Sequence, residues 1–133
     1  MISLVMDTSN SYLAVGLFKD NMCLEAFQEK GSRRQSEKAI PTLKEVLDRH
    51  HIALKDVNEM IITSGPGSYT GVRVAMTIAK TLAAVSDVKI KSVSSLAAYA
   101  GMNQAFSVID ARGHKVFVGV YENGLPLIKE QVV

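Results

Sequence analysis

Displaced along itself by 103 positions, the sequence meets itself again. Val5 falls on Val108, Asp7 on Asp110, Val15 on Val118, Gly16 on Gly119, Leu24 on Leu127 and Gln28 on Gln131, with no gap. Between these identities Met6 faces Ile109, Leu13 faces Val116, Leu17 faces Val120, Phe18 faces Tyr121 and Met22 faces Leu125. The period is too long for a solenoid, whose repeats run to roughly 50 residues; it points to two similar domains. The second copy opens at about Phe106 and is followed to Val133, ahead of any helix. Three strands with nothing to cover them do not make a domain. The expectation is therefore one whole domain, residues 1–104, and the opening meander of a second, residues 105–133. Such a chain is a fragment, or it completes itself by pairing with another chain.

Composition narrows the class. Of 133 residues, 47% are hydrophobic and 21% charged, which excludes disorder, and nine glycines exclude a collagen-like chain. No apolar run approaches the roughly 18 residues of a membrane span. The opening MISLVMD has neither the basic stretch nor the apolar length of a secretory signal. A lone cysteine, Cys23, forbids an internal disulfide and suits a reducing cytoplasm. A net charge of +2 does not by itself argue for nucleic acid.

The first copy reads as a meander. Ile2 to Met6 is apolar and stops at Asp7; Tyr12 to Phe18 is rich in β-branched and aromatic residues. Asp20-Asn21 marks a turn, and Met22 to Phe27 alternates apolar and polar residues. From Ser36 to His50 the period becomes helical, with Ile40, Leu43 and Leu47 on one face and Pro41 at the start or at a kink. A strand over Val57 to Thr63, a helix from about Thr70 to Val85, a strand over Lys89 to Val93 and a helix over Ser95 to Ala100 complete the order βββαβαβα. That order packs helices on a mixed sheet.

Two segments can carry chemistry. Asp7-Thr8-Ser9 sits in a hairpin turn, where a carboxylate can hold magnesium and hydroxyls with turn N–H groups can cradle phosphate. The same residues are also ordinary turn formers. The matched Asp110 strengthens the first reading, since two such hairpins can clamp a nucleotide between duplicated domains. Ser64-Gly65-Pro66-Gly67-Ser68-Tyr69-Thr70-Gly71-Val72-Arg73 joins a strand to a helix. It is neither a Walker loop nor a dinucleotide fingerprint. In it, Gly65, Pro66, Gly67, Ser68 and Thr70 form a structural loop, with Ser68 or Thr70 capping the helix. Arg73 lies in the first turn, where the macrodipole disfavours a cation, so it has an anion to meet: a carboxylate of the same fold, or a ligand.

The helix beyond is apolar at ten of the fourteen positions from Val72 to Val85, with Arg73, Thr77, Lys80 and Thr81 as a narrow polar stripe. One sheet buries only one face of a helix, so this one calls for a second cover, from a further domain or from a protein partner. Other candidates are weaker. His50 and His51 are adjacent and suit a helix C-terminus better than a metal site. Cys23 reads as core, His114 as a solvated turn residue, and Lys30, Arg33, Arg34 and Lys38 as a small basic patch, with tRNA contact a minor reading.

MDTSN, SGPGSYTGVRVAMTIAKTLA, SVSSLAAYA and VIDARGHKVFVGVY resemble the bacterial TsaB family, also called YeaZ and once described as glycoprotease-like. The resemblance implies an actin-like ATPase (RNase H-like) α/β fold: a mixed five-stranded sheet with helices, then the first strands of a duplicated domain. It further implies a part in making threonylcarbamoyladenosine beside the tRNA anticodon, as a non-catalytic partner. The TsaD paralogue transfers the group, the ATPase TsaE joins the complex, and tRNA is met only through the complex. By the same likeness Gly71, Val72, Arg73, Ala75, Met76, Ala79, Lys80, Leu82 and Ala83 form an interface, used with TsaD or with a second copy in a homodimer. Asp7, Thr8, Ser9, Asp110 and Arg112 become vestigial phosphate-loop positions. No cofactor or metal is then expected on this chain alone, with ATP and magnesium belonging to the complex. Gly113 stands where the family commonly has a second Arg, and Gln35 where it commonly has a His. The metal-binding helix of the TsaD type uses two histidines, and this chain has neither. An ATPase or sugar kinase of the actin-like superfamily is the alternative, motivated by Asp7 and Asp110; a protease rests only on the older description.

Overall fold

A computed structural model describes residues 1–30, 35–100 and 105–133; the side chains at positions 35, 36, 100, 105, 106, 108, 110, 112, 128 and 129 lie outside the description. The elements run β1 (Ile2–Asp7), β2 (Tyr12–Lys19), β3 (Met22–Lys30), α1 (Gln35–Arg49), a short 3₁₀ turn (Leu54–Asp56), β4 (Glu59–Thr63), α2 (Tyr69–Val85), β5 (Lys89–Val93) and α3 (Ser95–Ala100). A second meander follows: β6 (Ala105–Arg112), β7 (Lys115–Glu122) and β8 (Leu125–Val132). β1 to β5 form one mixed sheet in the order β3-β2-β1-β4-β5, with β1, β4 and β5 parallel. β6-β7-β8 form a separate antiparallel sheet. This is the expected mixed five-stranded sheet with helices, and a separate three-stranded meander comes after it in the chain.

Alternation along each strand divides the first sheet into two faces. Leu4 and Met6 of β1, Leu13, Val15 and Leu17 of β2, and Met60 and Ile62 of β4 are all buried beneath α1 and α2. From α1 come Ala39, Leu43, Val46 and Leu47; from α2, Ala75, Ile78 and Ala79. Ile40, expected on the buried stripe of α1, is 60% exposed. Helix α1 starts six residues before Pro41, which sits inside it. The opposite face of the sheet is held by polar pairs: Ser3 Oγ donates to Glu59 Oε1 at 2.8 Å, and Lys91 Nζ meets Glu59 Oε2 at 2.8 Å.

The repeat is reproduced in backbone detail. Asp20-Asn21 and Asn123-Gly124 are both two-residue turns with positive φ, at 50° and 67° and at 53° and 78°, the left-handed pair that suits a tight hairpin. Leu24 stands unpaired between Leu17↔Glu25 and Phe18↔Cys23, and Leu127 likewise between Val120↔Ile128 and Tyr121↔Pro126. A Cβ on Gly16 would come within 2.9 Å of the Phe18 ring, and one on Gly119 within 2.6 Å of the Tyr121 ring. Each glycine leaves room for the aromatic ring two residues on, which lies over it on the same face.

The duplicates differ in cover and in register. Helix α3 packs on the second meander, where Leu96 and Tyr121 are buried with Ala97, Ile109 and Phe117 against them. Glu130 of β8 accepts hydrogen bonds from the hydroxyls of Tyr121 and Ser94, and the Ser94 Oγ accepts from the Leu96 N–H at 3.1 Å. In the first meander Asp7 pairs with Ala14, whose counterpart is Phe117; Asp110 pairs instead with Val116. β6 has therefore slipped by one residue against β7, and a bulge at Ala111 restores the register so that Arg112 pairs with Lys115. Cys23, expected in the core, is exposed beside the unpaired Leu24 of an edge strand.

Candidate functional site

The β1–β2 tip is densely hydrogen-bonded. Asp7 Oδ1 accepts three hydrogen bonds: from Ser9 N–H at 2.9 Å, Ser9 Oγ at 2.6 Å and Thr63 Oγ1 at 2.7 Å. Ser95 Oγ of α3 donates in turn to Ser9 Oγ at 3.2 Å, and Thr8 Oγ1 donates to the Gly71 carbonyl at 2.5 Å. Thr8, Ser9 and Ser95 are each at most 2% exposed. Buried hydroxyls must be satisfied, and each of these donates within the chain: Thr8 to the Gly71 carbonyl, Ser9 to the Asp7 carboxylate and Ser95 to the Ser9 hydroxyl.

The glycine-rich loop lies directly on that tip. Ser68 N–H donates to the Ser9 carbonyl at 2.8 Å, and Ser95 N–H to the Gly65 carbonyl at 2.9 Å. A Cβ on Gly67 would stand 2.4 Å from the Ser9 carbonyl oxygen, and one on Gly71 2.0 Å from that of Thr8. Both glycines are thus required by the approach of another backbone. Of the two candidate caps, Ser68 serves, its Oγ accepting from Gly71 N–H at 3.2 Å, while Thr70 is exposed. Gly65 has φ 96° and precedes Pro66 through a cis peptide bond.

This geometry does not fit a phosphate at Thr8 and Ser9. Their hydroxyls face their own chain, and the loop that would have to leave space is packed against the tip's carbonyls. Among the described residues no group of three His, Cys, Asp or Glu side chains is placed to hold a metal ion. The side chains of Asp110 and Arg112 lie outside the described residues.

The second feature is a groove between α1 and α2. It comprises two hollows of about 420 and 320 Å³ that share Ile40, Thr77 and Ile78. The larger is completed by Tyr69, Thr70, Arg73 and Val74, and the smaller reaches Leu43, Leu47, Ile52 and Leu82. Ile40 and Tyr69, 60% and 75% exposed, stand on its rims. The apolar character of Ile40 fits a buried stripe in the sequence; only the packing of Ala39 and Leu43 turns it outward.

The residues expected at the interface of helix α2 differ in exposure. Gly71, Ala75 and Ala79 are buried within the chain, Gly71 against the Thr8 carbonyl. Val72, Met76 and Leu82 are half-buried, and Arg73, Lys80 and Ala83 are exposed. The small residues serve close packing of the helix on the sheet. Arg73 meets no carboxylate among the described residues; its guanidinium lies 5.3 Å from the Tyr69 ring centre, and its Nη1 donates to the Tyr69 hydroxyl at 3.4 Å.

The remaining candidates have structural partners. His50 Nε2 is 2.9 Å from Glu25 Oε1, and Arg49 Nη2 is 2.5 Å from Glu25 Oε2. These bonds, Arg49 foremost, hold the Glu25 carboxyl down at about 2 against its ordinary 4.5. Lys38 pairs with Glu29 at 3.3 Å, and His114 is exposed in a turn; Arg33 and Arg34 lie outside the described residues. No helix among the described residues is long and apolar enough to cross a membrane.

Known proteins are similar to this chain in sequence and in fold. The family described as "TsaD: tRNA N6-adenosine threonylcarbamoyltransferase" matches residues 28–132. The tRNA threonylcarbamoyladenosine biosynthesis protein TsaB of Bacillus subtilis is 36% identical over the whole of this chain, which spans 60% of that relative's length. The solved structure of YeaZ from Pseudomonas aeruginosa superposes with a TM-score of 0.90 at 29% identity, covering 99% of this chain and 67% of that one. The ethanolamine utilization protein EutJ from Carboxydothermus hydrogenoformans shares the fold alone, with a TM-score of 0.57 at 14% identity over all of this chain and 52% of its own. A family match over most of the length, joined to these likenesses in sequence and in fold, settles the kinship: the chain belongs to the TsaB (YeaZ) family.

Proposed function

We propose that this protein serves the synthesis of threonylcarbamoyladenosine on tRNA as a non-catalytic subunit, docking on the TsaD-type transferase through the α1–α2 face. The observation that carries the reading is the groove between these helices, with Ile40 and Tyr69 standing exposed over an apolar floor. A partner helix laid there covers apolar surface that the chain leaves in water, the ordinary driving force of association. The TsaB name of the relative and the TsaD family match support the same assembly. In this reading the protein works in the cytoplasm, forms a homodimer when alone, and meets a TsaE-type ATPase and tRNA only in the complex. ATP and magnesium belong to that complex, since Thr8 and Ser9 are bonded into their own chain. The same bonds weigh against the ATPase or sugar-kinase alternative.

Light scattering of the protein alone and mixed with its TsaD paralogue, with and without magnesium–ATP, tests this. A mixed complex that Ile40→Asp abolishes is expected. A monomer indifferent to the paralogue, yet altered by ATP, overturns the reading in favour of the kinase.

A further inference from the structure

Helix α3 is short and is held from two sides. Its six residues are too few for a helix to persist in water by itself, so its shape depends on what caps and covers it. On one side Leu96 and Ala97 pack with Tyr121 of the second meander. On the other, Ser95 N–H donates to the Gly65 carbonyl at 2.9 Å, Ser95 Oγ to Ser9 Oγ at 3.2 Å, and Asn10 Nδ2 to the Tyr99 hydroxyl at 2.5 Å. These bonds reach the β1–β2 tip and the glycine-rich loop laid on it. The two sides meet at Ser94. Its Oγ caps the helix, accepting from Leu96 N–H at 3.1 Å and Ala97 N–H at 3.4 Å, and donates to the Glu130 carboxylate of β8. Glu130 also accepts from the Tyr121 hydroxyl. A serine hydroxyl has a single proton, so the carboxylate that takes it turns the oxygen lone pairs toward the helix N–H groups. Charge-assisted bonds to Glu130 thus set the turn in which Ser95 stands.

The face that α3 covers also holds an uncompensated group. Ser107 of β6 is 6% exposed, and its Oγ has no hydrogen-bond partner among the described residues. It pairs in register with Gly119 and so shares the face of Gly119 and Tyr121. A buried hydroxyl without a partner carries a cost that is relieved when water reaches it. The closed arrangement bears that cost, an opened one escapes it, and the bonds of Glu130 oppose the opening.

We infer that α3 is a clasp by which the second meander sets how firmly the β1–β2 tip is held: Glu130 closes it through Ser94, and Ser107 biases it toward opening. When Glu130 lets go, Ser94 loses its fixed orientation and the first turn of α3 frays. Ser95, the first residue of that turn, then loses its aim at Ser9 and Gly65. The tip keeps its bonds to Thr63 and Gly71 but not its hold on the second meander. Both ends act on one element, the first turn of α3, which is what a physical coupling requires. Nothing in this device depends on the groove between α1 and α2.

Native-state amide exchange of the whole chain, followed by NMR, tests the clasp. Glu130→Met fills similar space without an acceptor, and is expected to speed exchange of the Ser9, Ser68 and Ser95 amides about tenfold while the β1–β4 ladder keeps its rate. Glu130→Gln retains an acceptor oxygen and is expected to restore most of the protection. On a Ser94→Ala background Glu130→Met adds nothing, since the two act through one bond. Ser107→Ala breaks no bond and is expected to slow the same amides roughly threefold. Tip amides indifferent to Glu130→Met overturn the clasp. Ladder amides that quicken in step with the tip overturn it too, because they report a general loss of stability. Additive effects of Ser94→Ala and Glu130→Met overturn the route through Ser94. Circular dichroism verifies folding; where Glu130→Met does not fold, Ser107→Ala decides, and a tip rate unchanged or raised overturns the inference.

Discussion

The two meanders have strands in the same relative positions, turn on the same two-residue loop between the second and third strands, and set a glycine under an aromatic ring at matched places. Their first hairpins nevertheless end in opposite ways. The β6–β7 hairpin closes on itself: a bulge at Ala111 brings Arg112 opposite Lys115, and Gly113-His114 turn the chain with φ of 61° and 60°. The β1–β2 hairpin stops pairing at Asp7↔Ala14, and its tip is held by Thr63, Ser68, Gly71 and Ser95 from three other places in the chain. Local rules suffice for one tip, and tertiary packing decides the other. A glycine therefore means different things in each: freedom of φ at Gly113, and absence of a side chain at Gly71.

Substitution at those two glycines breaks the comparison most directly. Gly71→Ala forces a methyl group against the Thr8 carbonyl and is expected to cost about 3 kcal/mol. Gly113→Ala has nothing within 4 Å to meet and bears only the left-handed φ, a cost of about 1 kcal/mol. Urea unfolding of both variants measures the gap, and equal losses would mean that the first tip is no more constrained than the second.

The glycine and aromatic pairs give the next test. Tyr121 is 1% exposed and tied through its hydroxyl to Glu130, so its ring cannot yield to a methyl group on Gly119. Phe18 is half-buried and has no such tie. Gly119→Ala is expected to cost about 2 kcal/mol and Gly16→Ala about 1 kcal/mol. The reverse order of melting temperatures would show that the cover supplied by α3 does not hold the Tyr121 ring.

The smallest effect is in acid. Glu25 of the first meander is bound by Arg49 and His50 at the end of α1, whereas its counterpart in the second is Ile128, which cannot ionise. With its carboxyl held at about 2 rather than 4.5, Glu25 contributes stability that is complete above pH 4.5 and is lost as the pH falls toward 2. Exposure keeps this contribution small. Arg49→Gln should flatten the fall in melting temperature across that window; an unchanged slope would show that the pair is not what titrates.

Periodicity read the elements well. The 103-residue displacement aligns β2 with β7 residue for residue, and the predicted start of α2 at about Thr70 falls one residue from its observed start at Tyr69. Register escaped it, because a one-residue slip and its bulge leave the alternation of β6 looking the same from the sequence. Ile40 and Cys23 are both apolar enough for the core, and only the neighbours on α1 and the unpaired Leu24 turn them out. The glycine-rich loop was legible as a site of special backbone, and its partner was not: nothing in Gly67 or Gly71 names Thr8 and Ser9, more than fifty residues earlier, as what lies against them. Thr8 and Ser9 looked ready for phosphate for the same reason, since a free hydroxyl and a bonded one are spelled alike.

Hairpin tips are ordinarily where a chain first lets solvent in, opening alone and often. The tip at Thr8 and Ser9 has no such independence. Its release requires α2 to give up its first turn, β4 its Thr63 contact and α3 its Ser95 contact together. Amide exchange there should follow global unfolding of the first sheet, so that a loop becomes one of the slowest-exchanging segments of the molecule, while the free turn at Gly113 and His114 exchanges at once.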